Sequence, residues 1–113
     1  MKVNEFRSIA LSMPEASESA HMGHPDFRTG GKIFATLGYP DERFAAIMLA
    51  PEEQEKLLRL HPSAFTPANG AWGRRGSTLV RLEAVTAATL RPAISTAWRR
   101  RAAKRLIKQP REA

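Results

Sequence analysis

"FRTGGKIFATL" (Phe27–Leu37) places two glycines between two short runs of strand-forming residues. Phe27-Arg28-Thr29 precede the pair, and Lys32-Ile33-Phe34-Ala35-Thr36-Leu37 follow it. Both central residues of a type I′ turn need positive φ, which glycine adopts without steric penalty. The stretch therefore predicts a β-hairpin that turns at Gly30-Gly31. A phosphate-cradling glycine loop is disfavoured, because such a loop leads into a helix and here β-branched and aromatic residues follow. A two-residue turn also sets the register: Thr29 opposite Lys32, Arg28 opposite Ile33, and Phe27 opposite Phe34. Phe27 and Phe34 would then share one face with Lys32, leaving Ile33, Ala35 and Leu37 on the other.

On the N-terminal side, Val3, Phe6, Ile9, Ala10 and Met13 recur at helical spacing, and Pro14 stops the helix. Glu15–Pro25 is polar and irregular, with room for one short strand. On the C-terminal side, Gly38–Arg43 is a turn, and the near-continuous apolar run Phe44–Ala50 predicts a strand buried on both faces. Pro51 suits the first position of the next helix. Glu52 and Glu53 lie in that helix's first turn and Lys56 and Arg59 near its end, as the helix dipole favours. Leu57, Leu58 and Leu60 are its expected packing residues. Phe65–Ser77 is rich in turn residues, and Thr78–Glu83 alternates like a strand. Thr86 is placed to cap a long C-terminal helix that presents Leu90, Ile94, Ala97 and Trp98 on one face. Pro92 conflicts with that helix, which must start later or bend there. The sum is one α+β domain over residues 1–109, with 110–113 as a disordered tail. Its sheet is mainly antiparallel, with helices packed on one face.

Composition narrows the function classes. The chain has 113 residues and no cysteine, which removes disulfides, thiol chemistry and Cys-based zinc sites. No secretory h-region and no membrane-length apolar run is present, so a cytoplasmic monomer is expected. The net charge of +7 is uneven: residues 1–98 carry eleven Lys/Arg against ten acids, and residues 99–113 carry seven against one. Such a basic block either binds polyanions by counterion release or simply complements the end of a helix dipole.

Four segments, taken together and in order, resemble the MmcQ/YjbR-like family: "HPDFRTGGKIFATL", "LAPEEQEKLL", "GAWGRRGSTLVRLEAV" and "AWRRRAAKRL". They cover nearly the whole chain. The resemblance implies a CyaY-like α+β fold related in shape to frataxin. It also implies membership of a group described as DNA-binding candidates with a double-wing arrangement, most without demonstrated function. Two positions depart from the pattern. Ala103 stands where relatives often have proline, and Ser77 stands where an aromatic is frequent, beside Trp72.

The candidate nucleic-acid contacts follow. Trp72, Arg74 and Arg75 in "WGRRG" combine an aromatic face with two phosphate-matching guanidiniums, although Trp72 could equally pack in the core. Arg28 and Lys32 flank the hairpin tip, where a wing meets a phosphate backbone. Arg99, Arg100, Arg101, Lys104, Arg105 and Lys108 form the basic block. Phe27 and Phe34 suit core packing better than a stacking platform. His21 and His24 form an H-x-x-H with Asp26 nearby, but two ligands close no metal site, and polarity at a loop edge accounts for all three. No metal or other cofactor is implied. No nucleophile elbow and no acid–base pair is recognisable, so a non-enzymatic protein is expected. Its expected partner is nucleic acid, DNA foremost. The alternative is a small-molecule or protein-interaction module that uses the open sheet face.

Overall fold

The computed structural model describes residues 1–102. The expected tail at 110–113, together with Ala103, Lys104, Arg105 and Lys108, lies outside the described residues. The elements are α1 (Val3–Leu11), β1 (Ser17–His21), β2 (His24–Thr29), β3 (Lys32–Leu37), β4 (Phe44–Met48), α2 (Pro51–Leu60), β5 (Phe65–Pro67), α3 (Gly70–Arg74), β6 (Ser77–Arg81) and α4 (Ala87–Arg101). The strands form one antiparallel sheet in the order β1-β2-β3-β4-β6-β5. This is the α+β architecture expected; β1 is the short strand for which Glu15–Pro25 has room, and β5 and α3 are added.

The hairpin turns at Gly30 and Gly31, with φ of 58° and 78°. Thr29 pairs with Lys32 and Arg28 with Ile33, as the turn length dictates. The next pair differs from expectation. A register shift pairs Phe27 with Ala35, which leaves Phe34 as the extra residue. A bulge of this kind breaks strict alternation. Phe34 and Ala35 are consequently both fully buried, along with Phe27. Phe27 meets Phe6 of α1 at a ring-centroid distance of 6.2 Å.

Alternation beyond the bulge assigns the two faces of the sheet. Ala45, Ile47 and Val80 join the core with Leu90, Ala93, Ile94, Ala97 and Trp98 of α4. Asp26 and Arg28, on either side of Phe27, therefore project from the opposite face. On α2, Leu57 and Leu58 pack against the core as expected, but Leu60 is exposed and the buried side chain is Gln54. On α4, Pro92 does not delay the start of the helix, which begins at Ala87 and contains the proline. Thr86 caps it as expected, its Oγ1 accepting from Thr89 N at 3.2 Å, and the helix runs on to Arg101. The Trp98 indole donates to Pro14 O at 3.0 Å and ties α4 to the end of α1.

Candidate nucleic-acid interface

The register brings distant basic residues to one end of the sheet. The last residue of β2, the first of β3, the last of β4, the first of β6 and the last of β5 all lie at that end. α3 connects β5 to β6 and so sits there too. The C-terminal turn of α4 is anchored at the same place. Arg100 Nη1 donates to Met48 O at 3.3 Å, and its Nε lies 3.8 Å from a Glu53 carboxylate oxygen. Lys32, Arg74, Arg75, Arg99, Arg100 and Arg101 thereby share one end of the molecule. With neighbouring strands about 4.8 Å apart, the strand that Lys32 begins runs roughly 10 Å to the side of β6.

α3 is held by backbone rather than by a core side chain. A Cβ at Gly73 would fall 1.8 Å from Ala68 O, so only glycine lets the helix lie this close to the strand. Gln54 Nε2 donates to Gly73 O and to Ser77 O, both at 3.0 Å, and fixes α3 against α2. With Gly73 filling the inward position, Trp72 turns outward and is 68% exposed. The core alternative for this tryptophan is thus overturned. The Arg75 guanidinium carbon lies 6.0 Å from the indole centroid, within cation–π range. Arg74 and Arg75 are both exposed.

The other candidates divide. Lys32 is exposed at the hairpin tip, and Arg99 is exposed on the last turn of α4. Arg100 is partly committed to Met48 and Glu53. Arg101 is half-buried, with its Nε buried and without a hydrogen-bond partner. Arg28 is not a free cation: its Nε and Nη2 donate to the two carboxylate oxygens of Asp26 at 2.7 and 3.0 Å. Phe27 and Phe34 are sealed in the core and offer no stacking surface.

Asp26 shows what sequence reasoning missed. It is fully buried, and Arg28 holds its carboxyl below the usual carboxylate range against the opposing effect of burial, helped by His21. His21 Nδ1 lies 2.7 Å from Asp26 Oδ2. Polarity at a loop edge therefore does not account for this pair. The signal was the i, i+2 spacing of Asp26 and Arg28, which places both on one face once β2 is known to begin at His24. Among the described residues no group of three or more His, Cys, Asp or Glu is disposed to hold a metal ion.

The YjbR family model matches residues 11–100, most of the chain and all four of its characteristic segments in part or whole. The chain belongs to the YjbR family. Two solved structures share this YjbR fold. A Deinococcus radiodurans protein with a DUF419 domain is 19% identical, with a TM-score of 0.71 over 86% of this chain and 75% of that one. A Pseudomonas syringae protein is 14% identical, with a TM-score of 0.70 over 89% of this chain and 99% of that one. At these identities the likeness concerns the fold. No curated protein matches. Among the described residues of this YjbR protein, no helix is long and apolar enough to cross a membrane.

Proposed function

We propose that this YjbR protein binds nucleic acid, DNA foremost, by electrostatic contact with the phosphate backbone, and acts as a binding protein rather than an enzyme. The observation that supports this reading is Trp72: a tryptophan 68% exposed, braced by Arg75 and set among cations at one end of the sheet. Exposed aromatics stack on bases without regard to sequence, while arginine forks take phosphate oxygens. Lys32, Arg74, Arg75 and Arg99 are the contact residues on this reading. Arg28 is not part of this arginine-fork interface, because Asp26 takes its Nε and Nη2 and leaves only Nη1.

The test is a titration with duplex DNA, single-stranded DNA and RNA at two salt concentrations. Each phosphate contact contributes about 0.9 to the slope of log K against log salt on duplex DNA. Replacing Arg74 and Arg75 by alanine should lower that slope by about two such contacts. A chain ending at Ala102 keeps α4 and its Arg100 anchor, so it measures the joint contribution of Lys104, Arg105, Lys108 and Arg111. Absence of binding to all three polymers at ~50 mM salt, where such contacts are strongest, would leave an interaction module as the reading. The groove between α2 and α4, about 530 Å³ and lined by Leu57, Pro92 and Ala93, would then be the place to look.

A further inference from the structure

A fully buried carboxylate that holds an arginine and a histidine is costly to build, and nothing in the proposed interface uses it. Asp26 sits mid-strand on β2, on the face opposite the core. It accepts from Arg28 Nε and Nη2, and its Oδ2 also meets His21 Nδ1. Each partner keeps one polar end uncommitted among the described residues: Nη1 on Arg28 and Nε2 on His21. Because both partners end on the same carboxylate, guanidinium and imidazole are held side by side. Both remain accessible, with side chains 31% and 45% exposed.

We infer that His21 and Arg28, aligned by Asp26, form a binding site for a phosphoryl group. Asp26 neutralises one positive charge and removes the rotational freedom of both side chains. Arg28 Nη1 and His21 Nε2 are then carried on neighbouring side chains over one fixed base, within reach of a common phosphoryl group. The charge depends on the imidazole. With His21 neutral, the three side chains sum to zero and Nε2 is an acceptor that repels an anion. With His21 protonated, the sum is +1 and Nε2 becomes a donor. Phosphate binding therefore favours the protonated imidazole over the neutral one.

The register identifies what else faces the cluster. β1 contributes Ser19 opposite Asp26 and Ser17 opposite Arg28, and β3 contributes Thr36 opposite Asp26 and Ile33 opposite Arg28. None of these is charged. His24 pairs with His21 and touches the Tyr39 ring at 5.9 Å between centroids. Glu18 alternates to the other face, where Arg7 binds it at 2.9 Å. Asp26 is thus the one carboxylate these neighbouring strand positions bring to the site. The site does not require α3 to bind nucleic acid.

The experiment follows the His21 ring and Arg28 side-chain NMR signals of the full chain during titration with inorganic phosphate and, separately, with dimethyl phosphate. The second probe keeps one charge across the pH range, so its pH dependence reports the protein's proton alone. Expected is saturable movement of both residues' signals, with affinity falling as rising pH removes the imidazole proton. His21→Gln should abolish the pH dependence, and His24→Gln should preserve it. Response to inorganic phosphate only would identify a free phosphate or monoester as the ligand; response to both would identify a nucleic-acid backbone or another diester. No saturable shift with either probe overturns the inference. So does an affinity whose pH dependence survives His21→Gln.

Discussion

Gln54 and Gly73 are joined across two helices: the Gln54 amide donates to the Gly73 carbonyl at 3.0 Å and, from the same nitrogen, to Ser77 O at 3.0 Å. Replacing Gln54 by alanine removes one hydrogen bond from each carbonyl, with Gly73 O still accepting from Gly76 N and Ser77 O from Ala68 N. The expected loss is about 1–3 kcal/mol of stability, read from denaturant unfolding. Because the same bonds position α3, nucleic-acid affinity should fall in Gln54→Ala although Gln54 touches no ligand. Wild-type affinity at reduced stability would separate the two roles.

Met22 adopts φ of 51° in the two-residue turn between β1 and β2, with Gly23 at 80°. A non-glycine residue pays for the left-handed region, and asparagine pays least. Its side chain is 92% exposed and packs against nothing that would compensate. Met22→Asn creates the Asn-Gly pair that this turn prefers. It should raise stability by about 0.5–1 kcal/mol, visible as a higher melting temperature.

The difference between the two hairpins explains what the sequence could reveal. Gly30-Gly31 announced its turn because both residues there are glycine. Met22-Gly23 did not, and β1 reads "SESAH", five exposed residues without an apolar alternation. That strand exists because β2 offers it a pairing edge, which is a tertiary cause. The bulge at Phe34 was hidden for a related reason: one extra residue in a run of strand formers leaves composition unchanged and alters only the pairing. Trp72 faces solvent because Gly73 takes the inward place, a fact that needs the position of Ala68. The basic residues were legible as residue types, and their gathering at one end was not, since it depends on strand order. From sequence alone Asp26 reads as a polar residue at a loop edge, because its burial follows from β2 reaching back to His24.

Acid should find the weak point at Asp26. Its carboxyl titrates below the ordinary value chiefly because Arg28 binds it. A depressed folded-state value stabilises the fold above the unfolded carboxylate range, and that stability is lost as pH falls through the folded value. Asp41, held at about 2 by Arg43, contributes with the same sign from an exposed turn. Stability should therefore be flat from about pH 7 to pH 5 with respect to these groups and decline below about pH 4. Asp26→Asn should remove much of that decline and lower stability at neutral pH, since Arg28 loses the anion it binds. An unchanged acid limb in this variant would place the acid sensitivity elsewhere.

Trp72 and Gly73 are neighbours with opposite expected phenotypes. Trp72 is mostly in solvent, so Trp72→Ala removes little buried area and should change stability by no more than about 0.5 kcal/mol. If its indole stacks on bases, the same change should weaken single-stranded binding by about 1–3 kcal/mol and leave the salt slope nearly intact, because no phosphate contact is lost. Gly73→Ala has no such freedom. Its new Cβ would meet the Ala68 carbonyl oxygen at 1.8 Å and the carbonyl carbon at 2.8 Å, both backbone atoms that cannot swing aside. α3 must then lift from the sheet, breaking the Gln54 bonds, with a loss of about 2 kcal/mol or more. Both variants should bind nucleic acid poorly, but only Gly73→Ala should also unfold at lower denaturant. A Trp72→Ala protein of normal stability and normal affinity would remove the aromatic from the interface and leave binding to the arginines alone.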